Sequence, residues 1–149
     1  VNVVGKRSTP DAYEQLLAGA KPAKGERAAV FPFLEPDETL VVRQRVDMVG
    51  EANGRSLLEG EVVVVVTDRK FIAARSCGGF RPEWEVFTLP YGHLEPGIVA
   101  DAAHVSIPTS GRRSYYVQLA DDESAAGLAS SLGGALRAYR RDQMGLDDS

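Results

Sequence analysis

His93, His104 and Cys77 are the side chains of this sequence best suited to nucleophilic, acid–base or metal chemistry, so their surroundings are read first. A metal site built on one element places its ligands at i, i+3 or i+4, where they share a face. Neither histidine has a second histidine or cysteine at that spacing, and a single cysteine excludes a multi-thiolate site and an internal disulfide. His93 follows the Pro90-Tyr91-Gly92 bend and reads as a hydrogen-bonding turn residue, while His104 opens a strand. Cys77 runs into Gly78-Gly79 with no base paired to it in sequence, which describes a passive thiol. Asp121-Asp122-Glu123 precede a helical pattern, where free amides and the helix dipole stabilise acids, so capping is favoured over cation binding. There is no G-x-S-x-G elbow, no G-x-x-x-x-G-K loop and no dinucleotide fingerprint. These residues predict no catalytic group, no metal and no cofactor.

Recognition is the remaining kind of chemistry. Arg43, Arg45, Arg55, Arg69, Lys70, Arg75 and Arg81 all fall on the first three strands or their turns. Converging on one mouth of a barrel, they would form a site for a lipid or another anionic ligand. Glu51, Glu59, Glu61, Asp68 and Glu83 interleave with them, and the competing expectation is ordinary solvated pairing. Phe31, Phe33, Trp84 and Phe87 are candidate interface residues. Residues 30–34 are more hydrophobic than a connector needs, so either they meet a protein partner or a second copy, or they pack back over residues 62–66.

The elements that must position these groups follow from length and period. A chain of 149 residues with 44% hydrophobic and 26% charged residues suits one globular domain. Its net charge of -4 argues against nucleic acid and against non-specific binding to anionic membranes. No apolar run reaches the roughly 18–20 residues that span a bilayer, and the single cysteine fits a reducing compartment, so the cytoplasm is expected.

Thr9-Pro10 opens a short amphipathic helix through Tyr13, Leu16, Leu17 and Ala20, followed by a Pro-, Gly- and Lys-rich linker over residues 21–27. From Glu38 the period becomes two, and Leu40, Val42, Gln44, Val46 and Met48 share one face of a strand. Asn53-Gly54 turns the chain towards a partner strand over residues 61–67. That strand is apolar on both faces over residues 62–66, so one face lines the core and the other is covered. Further strands are expected at 70–75, 84–89, 98–100, 104–107 and 114–119, then a helix along the stripe Ala125, Leu128, Ala129, Leu132, Leu136 and Tyr139. Gly133 and Gly134 weaken that helix unless close packing compensates.

About seven strands and one terminal helix describe a mainly β fold, a small antiparallel barrel plugged by that helix. The strand, Thr67-Asp68-Arg69 turn and strand spanning residues 61–73 resemble those of bacterial pleckstrin-homology-like domains of the GRAM and YokE-like sort. The Thr88-Leu89-Pro90-Tyr91 step, the His93-Leu94-Glu95 segment and the Ala/Leu-rich terminal helix agree with that resemblance in order. It covers residues 36–139, and the implied organisation is an N-terminal arm, helix and linker over 1–35 and the domain proper over 36–144. Its implication is a non-catalytic interaction module that binds a protein partner or itself. Phosphoinositide binding belongs only to some eukaryotic relatives, whose lysine-rich first hairpin is missing here.

Overall fold

The computed structural model describes residues 10–17, 21–77, 83–111 and 113–144. Three helices, α1 (Pro10–Leu17), α2 (Glu26–Val30) and α3 (Asp122–Met144), accompany seven strands: β1 (Leu40–Glu51), β2 (Ser56–Thr67), β3 (Lys70–Ser76), β4 (Trp84–Pro90), β5 (Val99–Asp101), β6 (His104–Pro108) and β7 (Ser114–Gln118). All strand pairings are antiparallel, in the order β4-β3-β2-β1-β7-β6-β5. The mainly β class, the strand count and the closing helix are those expected.

The barrel is open along one seam. β4 and β5 end the strand order, so the sheet is not joined into a hydrogen-bonded barrel among the described residues. It bends instead around one core that takes side chains from β1 to β4, β6, β7 and α3. A bulge assists the bend: Val46 pairs with Val62 but Met48 with Glu59, and Gly60 absorbs the extra residue at φ 106°. Beyond that bulge β1 keeps its pairing with β2 through Gly50 and takes β7 on its other edge over residues 48–51.

β2 is the central partition. Val62, Val64 and Val66 face the main core beneath α3, while Val63 and Val65 face a second cluster with Tyr13, Leu17, Val30, Ile72 and Ala74. Phe31, Leu34, Leu40, Trp84 and Val86 pack on that second cluster. The doubly apolar run is thus covered by residues 30–34, with the N-terminal helices added. Each valine fully removed from water contributes about 1.5–3 kcal/mol, so neither face tolerates exposure.

Two local expectations are revised. β2 begins at Ser56 rather than Glu61, because the Asn53-Gly54 turn is short and Leu58 enters the main core. The end of the linker expected over residues 21–27 is helical, since α2 starts at Glu26 and runs to Val30, and residues 31–33 add a 3-10 turn. At the C-terminal side the Asp121 side chain accepts the Ser124 amide at 2.7 Å, which caps α3 and holds its carboxyl below the usual range.

Candidate functional site

The sequence-selected cations do not gather at one mouth. Arg43 lies on the α1–α2 side of β1 with its side chain 4% exposed, and its Nε and Nη2 donate to the fully buried Glu26 carboxylate at 3.0 and 2.8 Å. Arg45 pairs with Glu61 at 3.2 Å and Arg75 with Glu85 at 2.9 Å. Arg69 grips Asp37 with both Nη atoms, at 2.8 and 2.6 Å, and Lys70 donates to Glu38 at 3.0 Å and to the Phe33 carbonyl at 2.6 Å. Arg55 sits in the β1–β2 turn, at the opposite end of β2 from Arg69 and Lys70. Arg81 lies outside the described residues. Carboxylates pair with five of these side chains, but Glu61 is the one interleaved acid among those partners; Glu26, Asp37, Glu38 and Glu85 supply the others.

The aromatic candidates divide in the same way. Phe31 stacks edge-on against Tyr13 at 5.5 Å, and Trp84 donates from Nε1 to the Lys24 carbonyl at 3.3 Å. Phe87 packs on the main core, with its ring 5.1 Å from that of Tyr115. Phe33 remains 42% exposed. Among the described residues no three metal-ligating side chains come together, and no helix is long and apolar enough to cross a membrane. His93 stands in a 3-10 turn, where its carbonyl accepts the Ser110 amide at 2.9 Å, and His104 starts β6.

A groove of ≈ 560 Å³ opens between the C-terminal half of α3 and the loop that enters β5. Ile98, Gly133 and Leu136 form its apolar floor, while Arg137, Arg140 and Arg141 stand along its rim. These arginines recur at i, i+3 and i+4, which places them on one face of α3. No acidic residue lines the groove, and no described carboxylate pairs with any of the three.

Both walls are anchored. Leu132 and Leu136 are buried in the main core, and Tyr139 meets Tyr91 edge-on at 5.7 Å. The Tyr91 hydroxyl donates to the Thr67 carbonyl at 2.6 Å, and burial raises its pKa strongly, so it stays a neutral donor. On the opposite wall the Glu95 amide donates to the Pro108 carbonyl at 3.0 Å, and Leu94 pairs with Thr109. Gly133 keeps the floor open: a Cβ there would meet only Arg137, whose Nη1 is 3.5 Å away. The Arg137 guanidinium therefore folds back along α3 towards its glycine pair.

Beside the groove, β5 has no strand partner on its outer edge among the described residues. Its Val99 is 54% exposed. The arginine face of α3 lies apart from the cations clustered in sequence on the first three strands, and no sequence-selected cation belongs to it. A Gly133-Gly134 pair four residues before Arg137 was the available signal, since a helix interior has little other use for it.

No family profile matches the sequence, and no curated protein matches it. Among solved structures, the chain is similar to one from the FERM and C-terminal domain complex of Drosophila Merlin, at 11% identity and a TM-score of 0.49. The match covers 92% of this chain and 44% of that one, so this chain spans less than half its length. At that identity and score the likeness carries no argument about function.

Proposed function

We propose that this chain is a non-catalytic interaction module that binds a protein partner, with the open edge of β5 and the adjoining α3 groove as its binding face. The observation that carries the reading is an unpaired sheet edge lying beside a groove with an apolar floor and anchored walls. An extended segment laid there gains main-chain hydrogen bonds from the edge and side-chain contacts from the floor, which is how β-augmentation combines affinity with selectivity. Self-association through residues 30–34 has weaker support, since Val30, Phe31 and Leu34 pack against the chain's own sheet. A cytoplasmic site of action fits the lone exposed thiol of Cys77.

The test is a random peptide library selected against the chain, followed by amide NMR titration of the recovered peptides. Shifts concentrated on Ile98, Val99, Ala100 and Asp101 and on the face of α3 bearing Arg137 support the reading. Recovered peptides that perturb only the α1–α2 face, or a selection that enriches nothing, overturn it.

A further inference from the structure

The rim of the α3 groove is all cation and its floor is all apolar, and that combination specifies more than a protein partner in general. We infer that the groove takes an acidic peptide segment carrying one large apolar side chain, which enters between Ile98, Gly133 and Leu136 while flanking carboxylates meet Arg137, Arg140 and Arg141. This inference rests on the interaction-module reading and adds the chemistry of the partner.

Charge complementarity commits the occupant. Elsewhere on the molecule Arg43, Arg45, Arg69 and Arg75 are matched to carboxylates of the same chain, whereas the three groove arginines have none among the described residues. A guanidinium presents a planar fork of donors that carboxylates satisfy two bonds at a time. Three such forks along one helix face leave a partner with alternating or clustered Asp and Glu the best match. The floor favours more than a purely ionic ligand: Ile98 and Leu136 line it, and Gly133 supplies no side chain of its own there, the nearest group to its Cβ position being Arg137 Nη1 at 3.5 Å. A peptide is preferred to an anionic membrane for two reasons. The β5 edge beside the groove offers main-chain pairing that lipid cannot use, and the groove's three arginines are too few to form the dense basic face that an anionic membrane surface needs.

The experiment uses three fluorescent nonapeptide pools, each of randomised order. One is built from Asp, Glu, Leu, Phe and Gly; a second replaces the acids with Asn and Gln; a third keeps the acids and replaces Leu and Phe with Ala. Anisotropy against the intact chain should rank the first pool well above the other two, with affinity falling as salt rises. Arg137→Gln, Arg140→Gln and Arg141→Gln should each weaken the first pool by about tenfold, as expected for loss of a charge-assisted contact. Arg45→Gln, which removes the same charge from the opposite face of the sheet, should leave it unchanged. Gly133→Leu fills the floor and also displaces the Arg137 guanidinium, which lies 3.5 Å from a Cβ there, so it is compared with Arg137→Gln: it should abolish binding where Arg137→Gln only weakens it, while α3 keeps its helicity by circular dichroism.

Equal binding of the acidic pool with Ala, or survival of binding in Gly133→Leu, removes the apolar pocket and overturns the inference. Equal binding of the amide pool, with shifts still at β5, overturns it while leaving the interaction-module reading intact. Sedimentation with phosphatidylcholine–phosphatidylglycerol vesicles in the absence of peptide binding overturns it in favour of a membrane ligand. No binding to any pool, to the vesicles or to a fully random library overturns both.

Discussion

Arg43 and Glu26 form a buried two-pronged ion pair, Nε to Oε2 at 3.0 Å and Nη2 to Oε1 at 2.8 Å, that ties α2 to the middle of β1. Tyr13 adds a hydroxyl donor from α1 to the same carboxylate, and the Ala23 amide a backbone donor at 3.0 Å. One acid thus holds two helices over the second face of the sheet. Removing one member of a buried pair strands the other charge in a dry site, which costs about 3–5 kcal/mol. We expect Glu26→Ala and Arg43→Ala each to lower stability on that scale in urea unfolding. The double replacement Glu26→Leu with Arg43→Met should recover much of the loss. Single replacements that leave the urea midpoint unchanged would show the pair to be dispensable.

Acid should act through the same carboxylate. Burial raises the Glu26 pKa, but the hydrogen bonds from Arg43, Tyr13 and the Ala23 amide, together with the Arg43 charge, bring it below its ordinary value of 4.5. A pKa lower in the folded than in the unfolded chain means stability that is full above the ordinary value and lost as pH falls through the folded one. Urea midpoints measured from about pH 7 to about pH 3 should fall for the wild type and fall less for Glu26→Gln. Parallel pH profiles for the two proteins would assign the acid sensitivity to other carboxylates.

The sheet was legible in sequence because period-two alternation survives wherever one strand face is dry and the other differs, as along residues 40–48. Residues 62–66 gave a second clue: five consecutive valines require a cover on both faces, and residues 30–34 were one apolar segment able to supply it, with Tyr13 and Leu17 adding to it in the fold. Residues 26–30 were not legible as a helix. Gly25 and Lys24 read as linker, and the glycine is needed for a different reason, a left-handed φ of 84° under the Trp84 ring. Barrel closure depends on how far the edges approach in space, which no pattern along the chain encodes. The groove was hidden because it joins residues 98 and 133–141, distant in sequence and linked only through the core.

Two close approaches permit a ranked test. A Cβ on Gly50 would fall 2.9 Å from the Arg55 carbonyl oxygen and 2.8 Å from the Tyr116 ring, so both backbone and ring resist it. A Cβ on Gly25 would fall 2.8 Å from Trp84 Nε1 and also meet the left-handed backbone cost of about 1–2 kcal/mol. We expect Gly50→Ala and Gly25→Ala both to lower the thermal midpoint. Only Gly25→Ala should also shift tryptophan fluorescence, because Trp84 must move. A Gly25→Ala protein with unaltered emission would place Trp84 elsewhere.

Phe31 and Phe33 are two residues apart and should respond in opposite ways. Phe31 packs on Tyr13 and the second cluster, so Phe31→Ser should destabilise the fold by about 2 kcal/mol, a partial version of a buried aromatic deletion. Phe33 is 42% exposed, and Phe33→Ser should leave the melt nearly unchanged, since its link to Lys70 runs through the backbone carbonyl. Light scattering on both variants completes the comparison. If either replacement converts a larger species to monomer with an unchanged melt, the segment serves an interface and not the core.

Ala102 is the non-glycine residue with positive φ among the described residues, at 54°, in the two-residue turn between β5 and β6. Asp101 pairs with His104 across it, leaving Ala102 as the first central residue, the position that tight hairpin turns of this kind give to glycine. Its Cβ crowds the following carbonyl in that conformation, a strain that glycine lacks. Glycine also loses more backbone entropy on ordering, so the gain is a difference of two terms. We expect Ala102→Gly to raise stability by up to about 1 kcal/mol. The side chain is exposed, so lost packing is not a competing effect. Hydrogen exchange is the sensitive readout: slower exchange of the His104 amide and of the β5 amides paired with β6 is expected, with no change in α3. Faster exchange at those amides would mean that alanine is already relaxed there and that the turn owes its shape to contacts outside itself.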